Sequence, residues 1–242
     1  LMNVDYSQLE LRVLAYVSGE KEMIRQLEGN EDFHIWVSRN ILFPELDPEL
    51  DNDAWKKKWK PKRDAAKTFS FGLSYGMTVY GLMTRLGVNE KEATRLLNLF
   101  LGRLTKLREY FHKKDRQLSK RHRAVNVLGR PRHFYGVDTM RHFGGYRRQL
   151  QGMRRENYNF DIQSAGSDFL SLSCIAIDND PQCLEMGVKL FLTVHDSIMF
   201  EVPEEHAEAA GMRIWELMTQ APRELLGWYL PAEVQWGPRW TD

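Results

Sequence analysis

Two short acidic segments at opposite ends of the chain, Asp5-Tyr6-Ser7-Gln8 and His195-Asp196-Ser197, constrain the fold more than any other feature. The first closes a short strand pattern, Met2 to Tyr6. The second lies between Val188 to Thr193 and Ile198 to Val202, two runs that can pair across His195-Asp196 as a hairpin. With a cationic-aromatic helix between them, the two acidic segments suggest a metal-dependent phosphoryl-transfer site. Carboxylates can hold divalent ions about 4 Å apart, as in-line displacement at phosphorus requires, with positive charge nearby for the phosphates.

The stretch between them reads as helical. Helices are expected from Gln8 to Val17, ending near Ser18-Gly19, then at 20–29 and 32–41. Residues 44–61, rich in Pro, Asp and Trp, read as a loop with one short helix. A long helix from about Pro61 to Tyr75 follows, then a short one near 78–86. A third runs from Asn89, an N-cap residue type, to about Lys120, with a break near Gly102. Ala124 to Tyr135 has hairpin character around Gly129 and Pro131. A helix from about 146 to 179 is expected to be interrupted near Gly152 or Gly166, and Glu204 to Thr219 reads as the last amphipathic helix.

At 242 residues, 43% of them hydrophobic, the chain can bury one large core or two smaller ones. No apolar run approaches the roughly 20 residues of a membrane helix, and no basic-then-apolar leader opens the sequence. A soluble intracellular protein without a membrane partner is expected. Cys174 and Cys183 follow no metal-ligand spacing and read as small core residues of a reducing compartment. The net charge of +1 excludes a uniformly basic coat, but its distribution is uneven. Five acids fall within 45–53, six bases within Lys56 to Arg63, and residues 103–155 interleave Arg and Lys with Tyr, Phe and His. Any one such stretch can be a solvated helix face. Their concentration in the middle third favours a phosphate-facing region there.

Arg63, Lys67, Phe71 and Tyr75 recur at every fourth residue, each displaced about 40° from the last, so two cations and two aromatics line one helix face. Snorkelling cations above a buried aromatic end would explain that pattern. Gly72 and Gly76 argue for more, since each costs about 1 kcal/mol in a helix interior and suits a place where a flat ligand or another backbone comes close.

Asp5-Tyr6-Ser7-Gln8-Leu9-Glu10-Leu11-Arg12, Arg63-x-x-x-Lys67-x-x-x-Phe71-Gly72-x-x-Tyr75-Gly76 and Val194-His195-Asp196, in that order, resemble the three motifs of family A DNA polymerases, the bacterial DNA polymerase I type. The resemblance covers nearly the whole chain. It implies an α+β fold, a small antiparallel palm sheet packed by helices with an inserted, mostly helical fingers subdomain, the palm built from residues 1–28 and 151–242 around fingers at 29–150, and template-directed addition of deoxynucleoside triphosphates to the primer of a primer-template DNA. Asp5 and Asp196 match the catalytic, metal-holding aspartates, with the Tyr6 carbonyl as a further ligand. Two Mg²⁺ ions, with Mn²⁺ as a substitute, would lower the pKa of the primer 3′-hydroxyl and steady the pyrophosphate. His34, Arg63 and Lys67 match triphosphate contacts, Lys67 counting with the catalytic set. Phe71 matches the aromatic against the incoming nucleotide, and Tyr75 the one that holds the templating position before the fingers close.

Glu10 resembles the steric gate that separates deoxyribose from ribose, and Phe71 in place of tyrosine implies poor use of nucleotides lacking the 3′-hydroxyl. Arg155, Asn159 and Gln163, with Gln8, match residues at the minor-groove edge, where acceptors are nearly the same for every base pair and contacts test pair shape. His195 matches the residue approaching the primer terminus, and Gly129-Arg130-Pro131-Arg132 resembles a template-side hairpin. Outside the motifs, His34 would read as a surface or satisfied core histidine, Glu10 as an exposed helical glutamate, and the 155, 159, 163 triplet as a polar helix face.

Two departures stand out. Ser197 replaces the glutamate that many relatives carry after His-Asp, and the chain starts almost on the first motif, without the thumb, first palm strands or an exonuclease domain. Leu230-Pro231 through Gly237-x-x-Trp240 resembles the terminal strand, so the chain reads as the C-terminal part of a longer polymerase or one piece of a split one, partnered by an N-terminal portion that carries the thumb. Two other readings stay open. A single-subunit RNA polymerase also uses His-Asp-Ser, but Glu10 and Phe71 speak against it. A catalytically silent DNA-binding fragment would have no need of both aspartates.

Overall fold

Alternation in Met2–Tyr6 produces strand β1, whose Met2, Val4 and Tyr6 are buried while Asn3 and Asp5 turn to the opposite face. The computed structural model describes residues 1–242 except 30, 31, 48, 75, 77, 143 and 240–242. After β1 come α1 (Leu9–Ser18), α2 (Lys21–Glu28), α3 (Phe33–Val37), α4 (Asn52–Lys58), α5 (Lys60–Ser74), α6 (Val79–Leu86), α7 (Glu90–Arg103) and α8 (Thr105–Arg121). The hairpin β2 (Arg123–Val125) and β3 (Pro131–His133) leads to α9 (Val137–His142) and α10 (Arg147–Asp178). Then follow α11 (Pro181–Glu185), β4 (Lys189–Val194), β5 (Ser197–Glu201), α12 (Ala207–Leu226) and β6 (Ala232–Trp236). The chain forms two compact units, residues 1–10 with 163–242, and residues 11–162. Sequence boundaries near 28 and 150 therefore lie inside the second unit.

In the first unit, β1 sits inside an antiparallel sheet of order β4-β5-β1-β6, so strands from the two ends of the chain are neighbours. The apolar face holds Met2, Val4, Tyr6, Ile198, Phe200 and Ala232, all buried, and α12 packs against β1 and β6. One polar contact crosses this core. Pro222, inside α12, has no N–H for the Met218 carbonyl four residues earlier, and the buried Tyr6 hydroxyl donates to that oxygen at 2.7 Å. Burial pushes the Tyr6 hydroxyl up to about 12, so it remains a donor at neutral pH. Ser173 Oγ lies 2.8 Å from the same hydroxyl and also donates to Phe169 O.

In the second unit, α5 buries Ala66, Phe69 and Ser70, and Phe69 meets Phe100 of α7 edge to face at 5.2 Å. Asp32 caps α3 by accepting from the His34 and Ile35 N–H groups, and Asn89 caps α7. The buried Lys114 ammonium pairs with Asp161 at 2.8 Å, and Tyr110 donates to the same carboxylate, tying α8 to the first half of α10. Burial lowers the Lys114 pKa despite that carboxylate.

Several sequence expectations need correction. The helix expected at 146–179 runs without interruption: Gly152 meets open space, and at Gly166 an added Cβ would stand 3.0 Å from Leu9 Cδ2, so that glycine serves packing and does not break the helix. The helix expected to end at Thr219 continues to Leu226, because the Tyr6 hydroxyl supplies the donor that Pro222 lacks. The helix expected at 32–41 ends at Val37 and passes into a π-helical turn, Ser38–Leu42, with Phe43 N–H on Ser38 O at 2.7 Å. Gly76 lies beyond the end of α5 at φ +65°, and a Cβ there would meet the Tyr158 ring at 2.5 Å. A neighbouring side chain therefore explains this glycine without a ligand. The short helices α9 and α11 carry too few periodic residues to be seen in the sequence.

Candidate active site

The two acidic segments meet in the first unit. Asp5 is the fourth residue of β1, directly opposite Ser197 of β5 and Glu233 of β6. His195 and Asp196 form the two-residue turn between Val194 and Ser197, and the Tyr6 N–H donates to the Asp196 carbonyl at 3.2 Å, tying the turn to β1. Both segments carry a left-handed non-glycine residue, Gln8 at φ +52° and His195 at φ +55°. Such conformations cost of order 1 kcal/mol or more and collect at functional sites.

The Asp5 carboxyl rises to about 6 from its ordinary 3.8, through burial first, then the charge of Asp196 and a hydrogen bond with it, then the charge of Glu233. Asp5 Oδ1 is shielded from solvent and has no hydrogen-bond partner. A shielded, unsatisfied carboxylate oxygen beside a second carboxylate is costly for the protein alone and suits a hard divalent cation. The donor set therefore fits the metal that the sequence implies. Among the described residues no group of three or more His, Cys, Asp or Glu side chains is placed to hold a metal ion. Ser197 Oγ turns away, donating to Val194 O at 2.9 Å. Glu233 was missed in the sequence: it accepts from Ser7 Oγ at 2.7 Å and lies beside Asp5, a relation visible only once β6 is paired with β1.

Glu10 stands in the first turn of α1 and is hydrogen-bonded by the Gln163 amide. Gln163 and His195 are exposed on the first unit. Arg155 is exposed and Asn159 half-buried, both on the part of α10 that belongs to the second unit.

The second unit gathers His34, Arg63, Lys67 and Phe71. Arg63 grips Asp32 with Nε at 2.8 Å and Nη2 at 2.7 Å. Burial alone would raise the Asp32 carboxyl, but the hydrogen bond and charge of Arg63 hold it below its usual value. The exposed Lys67 places its ammonium 6.0 Å from the Phe71 ring centroid, and the His34 ring lies 5.5 Å from Phe71. His34 is buried, with no hydrogen bond at Nδ1. Burial, and then the charges of Arg63 and Lys67 against the opposing pull of Asp32, push its pKa down to about 4, so the ring is neutral at pH 7. Of these groups, the Lys67 ammonium and the neutral His34 ring lie beside Phe71, while Arg63 is held by Asp32. Tyr75 lies outside the described residues, as does Trp240.

Comparison with known proteins gives a consistent result. The chain is 29% identical to DNA polymerase I of Mycobacterium leprae over 235 residues, 97% of this chain and 23% of that protein. It is 31% identical to the thermostable DNA polymerase I of Thermus filiformis over 243 residues, 100% of this chain and 27% of the relative. It therefore spans about a quarter of the length of these relatives. Among solved structures it is similar to the POL domain of Pol1 from M. smegmatis in complex with DNA primer-template and dNTP, with TM-score 0.79 and 26% identity over 97% of this chain and 38% of that one. The sequence model of DNA polymerase family A matches residues 1–242 from end to end, and the chain belongs to that family.

Proposed function

We propose that the chain is the palm and fingers portion of a DNA-directed DNA polymerase, which adds deoxynucleoside triphosphates to a primer 3′ end on a template. In this reading residues 1–28 and 151–242 are palm and 29–150 fingers, and an N-terminal portion carrying the thumb completes the grip on DNA. The observation that carries it is the shielded, unpartnered Asp5 Oδ1 beside Asp196, on a sheet that joins the two ends of the chain. Family membership supports the choice of a DNA polymerase over an RNA polymerase or a silent binding fragment. Family A polymerases are metal-dependent, and here Asp5, Asp196 and the Tyr6 carbonyl would hold two Mg²⁺ ions, or Mn²⁺. When bound, the ions supply a more acidic primer 3′-hydroxyl and neutralise the phosphates.

The chain's own residues do the rest. Lys67, Arg63 and His34 orient the triphosphate, and Lys67, exposed and free of any strong carboxylate partner among the described ion pairs, neutralises charge that develops there. Phe71, with Tyr75 near it in sequence, packs against the nucleotide and template positions. Glu10, held by Gln163, excludes a 2′-hydroxyl. Gln8, Arg155, Asn159 and Gln163 test pair shape from the minor groove, and His195 approaches the primer terminus. No helix among the described residues is long and apolar enough to cross a membrane, and the enzyme would act on DNA in the cytoplasm or nucleoid. Asp5→Asn and Asp196→Asn should each abolish primer extension while leaving duplex binding nearly intact. Turnover retained by either variant would overturn the metal assignment.

A further inference from the structure

We propose that Glu233 supplies a third negative charge to the divalent-cation site from the β6 side of Asp5, where Ser197 leaves the β5 side uncharged. The inference rests on the metal reading above. Ser197, Asp5 and Glu233 form one row across β5, β1 and β6, each directly opposite its neighbour, so their side chains share a face. The Ser197 hydroxyl donates to Val194 O and brings no charge to that row. On the other flank, two carboxylates stand opposite each other, an arrangement that destabilises a sheet when nothing lies between them.

Sheet stability alone gives no reason for an acid at this position. A neutral amide can also accept from Ser7 Oγ, which now donates to Glu233 Oε1 at 2.7 Å, although the carboxylate accepts the stronger bond. A local choice that works against the sheet is expected where a site needs it. The independent sign of a cation is Asp5 Oδ1, shielded and without a hydrogen-bond partner, in the same row. Glu233 is itself exposed and belongs to no three-ligand cluster among the described residues. It is therefore a positioning residue: it acts through its field on Asp5 and through Ser7, and not as a ligand.

The test is Mn²⁺ binding to the protein alone, read from the electron paramagnetic resonance signal of free Mn²⁺, together with urea midpoints measured with and without Mn²⁺. Glu233→Gln, which keeps an acceptor for Ser7, should weaken Mn²⁺ binding roughly three- to tenfold, the scale of one partly screened charge acting on a divalent ion. Its metal-free midpoint should equal or exceed that of the parent, and Glu233→Asp, which keeps the charge, should bind Mn²⁺ nearly as the parent does. Unchanged Mn²⁺ affinity in Glu233→Gln overturns the inference. So does Glu233→Asp binding as weakly as the amide, or an equal fall in midpoint with and without Mn²⁺, which would mark a structural role. Asp196→Asn separates the two levels: if it too binds Mn²⁺ like the parent, the metal reading fails, whereas loss in Asp196→Asn without loss in Glu233→Gln defeats only the role of Glu233.

Discussion

Replacing Tyr6 by phenylalanine removes one oxygen from the core of the first unit and leaves the Met218 carbonyl without its donor. Tyr6 is 1% exposed and Met218 0%, so water cannot take the place of the lost hydroxyl. Within α12, no backbone N–H can either, because the residue four positions on is Pro222. Ser173 is not orphaned by the change, since it still donates to Phe169 O at 2.9 Å. The expected loss is therefore that of one buried unsatisfied carbonyl, about 1–3 kcal/mol.

Pro222→Ala gives the sharper experiment. It returns an N–H to the helix, and the Met218 carbonyl can then be served without Tyr6. In that background Tyr6→Phe should cost about 1 kcal/mol less than in the parent. A double-mutant cycle in urea, followed by the fluorescence of Trp228, which packs on Phe169 at 5.9 Å, measures the coupling directly. Costs that add to within about 0.5 kcal/mol would refute the claim that the tyrosine replaces the donor that the proline lacks. The side chain has a definite purpose in this account: it anchors the strand whose backbone carbonyl is proposed to face the metal.

Other perturbations follow from the same geometry. Because the Asp5 carboxyl is raised from 3.8 to about 6, the metal-free fold loses stability as pH rises through that window. Asp5→Asn should thus stabilise the protein in EDTA at pH 8 by about 1–2 kcal/mol, the nominal value of about 3 being reduced for partial exposure, with no gain below pH 4; urea midpoints at the two pH values decide it. His34 has the opposite sign: its pKa is lowered to about 4, so stability falls as pH drops from about 6.5 to 4. His34→Gln should flatten that slope by about 2 kcal/mol in acid unfolding curves, and an unchanged slope would refute it. Gly76→Ala meets both a positive φ and the Tyr158 ring at 2.5 Å and should cost roughly 2 kcal/mol in urea unfolding. Glu10→Ala should raise ribonucleotide incorporation about tenfold or more relative to deoxyribonucleotides in primer extension, and an unchanged sugar preference would remove Glu10 from the gate.

What could be read from the sequence was local. β1 shows its alternation within five residues, Asn89 announces a helix by its side-chain oxygen, and the hairpin around His195-Asp196 is bracketed by two apolar runs. Arg63, Lys67 and Phe71 share a face because helical spacing puts them there. Features set by partners distant in sequence were hidden. Gly166 reads as a helix breaker until Leu9 is seen against it, and the roughly 1 kcal/mol that glycine costs is small beside the packing of a 32-residue helix. The last helix, expected to end at Thr219, runs on through Pro222, with the Tyr6 hydroxyl on the freed Met218 carbonyl.

Glu233 is the extreme case, because its meaning depends wholly on register. A slip of one residue in the β1–β6 pairing would turn its carboxylate to the apolar face and put a neighbour of Glu233 opposite Asp5. Nothing in Ala232-Glu233-Val234 reveals that choice. What fixes it is burial: Ala232 opposite Tyr6 and Val234 opposite Val4 must face the core, and that requirement leaves Glu233 beside Asp5. The hydrophobic register of the last strand therefore determines the charge of the acidic row. A substitution that shifted the strand, such as a polar residue in place of Val234, should disturb the row as much as removing the carboxylate itself.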